Sequence, residues 1–252
     1  MRSGQRNGHR TRRGRARAAL ARGLWAAAEV TVTLGVIVLL LVVHQLWWTN
    51  RQAREGAERT VHALERTWGT ERMAADDVTP GIPDERGERT VAPAAPRPVP
   101  PRWDQAYAVL RIPRLGVVAP VAQGIGRRGV LDKGYIGHYP GTAQPGQAGN
   151  FPVAGHRNTR GEPFRYINRL RSGDTVRIET REEIFVYAVD KTLTQTTPRD
   201  TGVIAPVPRS LVWPTAGYGE PGRYLTMTTC TPEFSSRYRL VVWARLASVQ
   251  PR

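Results

Sequence analysis

Along this chain the rhythm of apolar positions changes three times, and each rhythm predicts a different element. From Leu24 to Trp48 the sequence reads LWAAAEVTVTLGVIVLLLVVHQLWW, with no charge between Val30 and Val43. About 20 mainly apolar residues suffice to cross a bilayer as a helix. Trp25 at one end and Trp47-Trp48 at the other match the aromatic belts of membrane interfaces. Glu29 and His44 lie near the two ends, where polar tips reach headgroups. A cleaved signal peptide is the competing reading, but its apolar region normally spans only about 7–15 residues before a small-residue cleavage site. This stretch is longer and closes on His44-Gln45-Leu46-Trp47-Trp48, so an uncleaved transmembrane helix is predicted over 24–48.

From 49 to 101 neither a helical nor a strand rhythm dominates. Arg51 to Trp68 is charged and helix-compatible but lacks a wide apolar stripe. From Thr79 the chain is punctuated by Pro and Gly and ends in APAAPRPVPPR, a composition that favours extended polyproline II geometry. Residues 49–101 are therefore expected to be a stalk without a packed core.

From Trp103 onward short apolar runs alternate with turn signals. Tyr107–Ile112, Thr175–Thr180, Ile184–Val189 and Arg239–Leu246 are strand-like, and Arg171-Ser172-Gly173-Asp174, Gly217-Tyr218-Gly219 and Pro221-Gly222 break the chain between such runs. Many short strands at close intervals predict an all-β barrel or sandwich. The domain is expected to span 102–252 and to fold without the segments before it.

Charge sharpens the topology. The formal net charge is +16, almost wholly arginine, since Lys133 and Lys191 are the only lysines. Residues 1–50 carry eight arginines against Glu29 alone, whereas only Arg51 and Arg54 follow the apolar stretch closely. A basic excess on one flank predicts that flank to be cytoplasmic. Residues 1–23 are thus expected to form a cytoplasmic tail, with everything after residue 50 outside. Strong basicity raises nucleic-acid binding as an alternative; with the densest run abutting the apolar stretch, no nucleic-acid partner is expected.

The only cysteine is Cys230, in Thr226-Met227-Thr228-Thr229-Cys230, and the turn Gly155-His156-Arg157 lies upstream. One cysteine excludes an internal disulfide. It leaves either a buried thiol acting as a small hydrophobe or a nucleophile served by a histidine elsewhere in the sequence. Spacing alone leaves both readings open.

Three stretches settle on one family. LRIPRLGVVAPV at 110–121, LDKGYIGHYPGTAQPGQAGNFPVAGHRNT at 131–159 and TMTTCTPEFSSRYRLVVWARL at 226–246 closely resemble sortases, membrane-anchored cysteine transpeptidases of Gram-positive bacteria. The resemblance covers roughly residues 104–247. Its motifs are a histidine closing an AGHR turn, a TLxTC-like strand end with Met227 for leucine, and an arginine shortly after the cysteine. The CxPxFSxxxRL continuation is most similar to the class E group of actinobacteria.

The resemblance implies a closed β-barrel with short helices, and it implies roles: Cys230 as nucleophile, His156 as general acid/base, and Arg239 as partner of the oxyanion or substrate carbonyl. Each suits its residue. A thiolate attacks a carbonyl far better than a thiol, an imidazole takes or returns the proton, and a permanently charged guanidinium holds developing negative charge. Arg237 and Arg239 would share a strand face, so alternation does not separate them; the family pattern favours Arg239, with Arg237 a solvated charge. Thr229 would bond a substrate threonine or fill a strand position. His138, in Gly137-His138-Tyr139-Pro140-Gly141, is expected to be structural. Glu179, Glu182 and Glu183 are read as solvated turn charges. Neither a metal nor a cofactor is expected.

The implied activity is cleavage of a C-terminal sorting signal, LAxTG- or LPxTG-like, between Thr and Gly, with transfer of the secreted protein to an amine of a cell-wall precursor. A pilin-polymerising sortase is the near alternative. The segment before the barrel offers only Arg102-Trp103-Asp104-Gln105 where those enzymes commonly carry an Asp-Pro-aromatic lid, and the sequence given ends at Arg252 without an apolar tail. A cysteine L,D-transpeptidase would need a Ser-x-Gly-Cys strand signature that is missing, and a membrane-tethered module binding anionic wall polymers is the non-enzymatic alternative.

Overall fold

A computed structural model describes residues 8–76 and 101–252. They fall into two units, one ending at Trp48 and one running from Thr49 to Arg252. The first belongs to a helix, α1, spanning Gly8–Asp76. Side chains from 22 to 48 are exposed throughout, and the helix is long and apolar enough to cross a membrane. Residues 1–7 of the expected tail and the proline-rich part of the expected stalk, 77–100, lie outside the described residues.

The second unit contains a closed barrel of eight strands: β1 (Ala106–Ile112), β2 (Val117–Gln123), β3 (Ile136–His138), β4 (Gly149–Ala154), β5 (Thr175–Glu179), β6 (Glu183–Thr196), β7 (Arg223–Thr231) and β8 (Tyr238–Pro251). They close in the order β1-β2-β3-β4-β7-β8-β6-β5, with β5 returning to β1. Most neighbours are antiparallel, but β2 with β3 and β4 with β7 are parallel. Period-2 alternation fills the interior: Leu110 and Ile112, Phe151 and Val153, Leu225 and Met227, Leu240 and Val242 are all buried in one cluster.

The opposite parity of β7 and β8 faces outward and is partly covered. Tyr224, Val241 and Trp243 pack with Val203 and Tyr218 of the β6–β7 connection. The Trp243 indole donates to the Val203 carbonyl (3.1 Å), and the Thr226 hydroxyl donates to Asn150 Oδ1 (2.9 Å). The buried Asp200 folds this connection by accepting from the Thr196 and Ser210 hydroxyls and the Leu211 amide.

The second half of α1 departs from the expected stalk. Ala53, Ala57, Val61 and Trp68 are buried, and Val61 and Trp68 form a cluster with Val109 of β1. The stripe is narrow, but alanine permits close approach: a side chain on Gly134 would meet the Ala53 carbonyl at 2.9 Å. Charges flank the seam. Arg111 bridges Glu65 and Glu179, Arg181 meets Glu71 at 3.1 Å, and the Arg252 guanidinium lies 4.3 Å from the Trp68 ring centre. The core of this unit thus draws on residues from 53 onward, beyond the 102–252 span. Glu179, read as solvated, is instead buried with Arg111 and Arg252 at 2.8 and 3.7 Å.

His138 is fully buried. Its Nδ1 lies 3.0 Å from the Tyr107 hydroxyl and 2.9 Å from Gln123 Oε1, and its Nε2 lies 2.9 Å from the Thr142 hydroxyl and 3.1 Å from the Ala143 carbonyl. Burial disfavours the imidazolium and lowers its pKa to about 4.

Two stability outcomes are expected. Trp68→Ala should cost about 3 kcal/mol, as for other buried tryptophans, read as a lower denaturant midpoint for the folded chain. His138 titrates in the unfolded chain near about 6.5 and in the folded one near about 4, so the unfolded state binds the extra proton between these values. Stability should fall by on the order of 3 kcal/mol as pH drops through that window, and His138→Gln should flatten the dependence.

Candidate active site

Strand pairing assembles the site. β4 and β7 are aligned from Gly149↔Arg223 to Ala154↔Thr228, a constant offset of 74 residues. The alignment runs one step further, because the Gly155 amide donates to the Thr228 carbonyl (3.2 Å) and the Thr229 hydroxyl donates to the Gly155 carbonyl (2.8 Å). His156 follows one residue after Gly155 and Cys230 one residue after Thr229, so the turn that carries the histidine leaves β4 beside the end of the cysteine strand. On the other flank β8 runs antiparallel, with Cys230 and Arg239 directly opposed. Residues so opposed have Cβ atoms about 4.5–5.5 Å apart. Leu225 and Met227 point inward, so Cys230 lies on the outer face by alternation, together with its partner Arg239.

His156 is mostly enclosed, its side chain 16% exposed, and Nε2 donates to Asp132 Oδ1 at 2.8 Å. A carboxylate only accepts, so this bond places hydrogen on Nε2 and leaves Nδ1 for proton exchange. Asp132 sits on a short 3-10 turn, Leu131–Lys133, capped by left-handed Gly134. The Arg239 Nη1 donates to the carbonyls of Ser236 (2.9 Å) and Tyr238 (3.0 Å), which fixes the direction of its fork. Arg237 precedes β8, is exposed, and lies over the Tyr238 ring at 5.2 Å. The two arginines thus occupy different settings, Arg239 within β8 opposite Cys230 and Arg237 ahead of the strand.

Two further residues lie against the site, one of which, Thr229, occupies the strand position that is one of its two expected roles. Thr229 is buried with its hydroxyl committed to Gly155, which places it beneath the site as a tie between β7 and the histidine turn. Arg157, given no role from sequence, is buried, and its Nη1 donates to the Cys230 carbonyl (3.1 Å) and the Thr231 hydroxyl (2.9 Å). It follows His156 in the AGHR motif, the only signal that pointed to it. Asp132 had no signal of its own. Among the described residues no group of three or more His, Cys, Asp or Glu is arranged to hold a metal ion.

The Sortase domain family matches residues 110–247. The chain belongs to the sortase family. Sortase SrtE1 of Streptomyces coelicolor is 41% identical over 232 residues, covering 90% of this chain and 58% of that relative's length. The barrel superposes on sortase E1 from Streptomyces coelicolor, solved with a tripeptide in its active site, with a TM-score of 0.56 and 49% identity over 59% of this chain and 92% of that one. Sortase E from Streptomyces avermitilis gives 0.53 and 47%, covering 60% and 93%. Within this family of cysteine transpeptidases the chain falls with class E.

The Asp132–His156 bond makes a prediction. Asp132→Ala should lower kcat by about tenfold or more, because an imidazole free to rotate is a poorer proton carrier. Asp132→Asn, which keeps an acceptor for Nε2–H, should lose less. Steady-state rates of peptide transfer check the order; equal rates in both variants and wild type would remove Asp132 from the working site.

Proposed function

We propose that this chain is a single-pass membrane enzyme, N-terminus in the cytoplasm, whose external domain cleaves a C-terminal sorting signal between Thr and Gly and joins the freed carbonyl to an amine of a peptidoglycan precursor. The observation that carries the reading is the β4–β7 register, which ends at Ala154↔Thr228 two residues before His156 and Cys230, together with the Cys230↔Arg239 pairing of β7 with β8. The eight arginines ahead of the apolar segment support the orientation. Similarity to class E sortases supports an LAxTG-type signal.

The steps follow from the side chains. The Cys230 sulfur, as thiolate, attacks the threonine carbonyl carbon, and the carbonyl π electrons move to oxygen, where the Arg239 guanidinium offers N–H donors to the developing anion. His156, protonated at Nδ1, delivers that proton to the glycine nitrogen as the C–N bond breaks, leaving a thioester. The acceptor amine then attacks the thioester carbon, His156 takes the amine proton, and the sulfur departs as thiolate. Asp132 holds the ring through both transfers.

Incubating the full chain in detergent micelles with a quenched LAxTG peptide and an amine tests this reading. Product should form as the amide of the added amine, and Cys230→Ala should abolish it, since no second thiol exists. Arg239→Ala should reduce turnover by about 10²-fold, as for other lost oxyanion donors, while Arg237→Ala stays near wild type. Turnover in Cys230→Ala would overturn the mechanism. Protease added to intact protoplasts should remove the Cys230 domain; full protection would overturn the orientation.

A further inference from the structure

The chain leaving His156 forms a loop that closes on it: the Phe164 amide donates to the His156 carbonyl at 3.1 Å. Inside it three successive residues are left-handed, Arg160 (φ 55°), Gly161 (φ 85°) and Glu162 (φ 54°). Residues other than glycine seldom adopt this conformation, and it persists where surroundings enforce it. Much of the enforcement comes from α1. Asn50 Nδ2 and Arg54 Nη2 donate to the two Glu162 oxygens at 2.7 and 3.1 Å, and Arg54 Nε donates to the Gly161 carbonyl at 3.1 Å. Arg165 completes the grip, its Nη1 at 2.7 Å from Glu162 and its Nη2 at 3.2 Å from Glu233, in the connection following Cys230.

The same stretch of helix also meets the partner of His156. A side chain on Gly134, two residues beyond Asp132, would meet the Ala53 carbonyl at 2.9 Å and the Arg160 carbonyl at 3.3 Å. Both ends of the Asp132–His156 bond are therefore carried by segments resting on α1 between Asn50 and Arg54.

We propose that residues 50–54 of α1 position His156 through Glu162, which makes this part of the helix a working component of the active site. The proposal rests on the catalytic reading of Cys230, His156 and Arg239 given above. Arg54 is largely exposed, and an ion pair of that kind alone contributes little. Glu162, however, has a side chain only 3% exposed, and without the two α1 donors it keeps only Arg165, which leaves a buried carboxylate under-satisfied and unfavourable. The loop relieves it by turning Glu162 to water, and that movement displaces the backbone at the His156–Phe164 neck. Glu162 is thus a positioning residue.

The test uses the full chain in detergent micelles, with the pair Asn50→Ala and Arg54→Ala together, Glu162→Gln, and Glu71→Ala as a control that breaks the Glu71–Arg181 contact elsewhere on the helix. Amide hydrogen exchange over residues 155–165 should quicken about tenfold or more in the first two, with β5 and β6 unchanged. The kcat for peptide transfer should fall about tenfold with KM little altered, as expected for a misplaced catalytic group. Adding Glu162→Gln to the helix pair should cost nothing further, and Glu71→Ala should match wild type in both readouts. Unchanged exchange over 155–165, equal quickening throughout the barrel, or a kcat insensitive to a loosened loop would each overturn the proposal. A wild-type chain that transfers no peptide would defeat the functional reading instead, leaving the exchange measurement to decide the positioning.

Discussion

The parallel pairing of β4 with β7 is the constraint on which the chemistry depends. The two strands are far apart in sequence, and β5 and β6 lie between them, so nothing local brings His156 to Cys230. The pairing brings the end of β4, and with it the turn that holds His156, beside the end of β7, and register in a barrel wall is strongly specified because a one-residue slip would exchange its two faces. Leu225 and Met227 inside, with Thr226 bound to Asn150 outside, mark the register from both sides. The Thr229–Gly155 hydrogen bond carries it past the last paired residue to the point where His156 begins.

Charge is distributed around the sulfur with comparable care. Arg157 and Arg239 reach the Cys230 region from opposite neighbouring strands. Arg157 is engaged by a carbonyl and a hydroxyl, so its charge is met there by dipoles. Arg239 grips two carbonyls of the connection that leads into its own strand. One guanidinium thus ties the histidine turn to the cysteine strand, and the other belongs to the residue paired directly with Cys230. Lysine would serve neither task as well, because it lacks the planar fork of donors.

Much of the barrel was legible in the sequence, and the exceptions have physical reasons. β1 and β5 lie within a residue of the runs that predict them, β5 because its Val and Ile alternate and β1 because it is a short, dense run of Val, Leu, Ile and Tyr. β6 extends seven residues beyond Val189, through a polar run held by pairing with β8 rather than by burial. β2 and β4 each contain a proline, which reads as a strand breaker; Pro120 is tolerated because β3 pairs with β2 only from Val121 onward. Cys230, His156 and Arg239 were visible as motifs. Asp132 was not, since a turn residue reaching a histidine across space leaves no periodic trace. The docked part of α1 was missed because its seam is built of alanines, whose small apolar surface scarcely registers as a stripe.

Closure of the barrel has a consequence for recognition. With β5 paired back to β1, each of the eight strands has a neighbour on both sides, and the wall has no edge strand. An extended polypeptide arriving at the outer face therefore meets no edge strand that it could extend along its whole length, the route open to proteins with an exposed edge. Its main chain must be met by side chains and by the connections around Cys230. The connections 197–222, part of which packs over that face, and 232–237, which follows Cys230, can diverge in sequence while the wall that holds the sulfur stays unchanged.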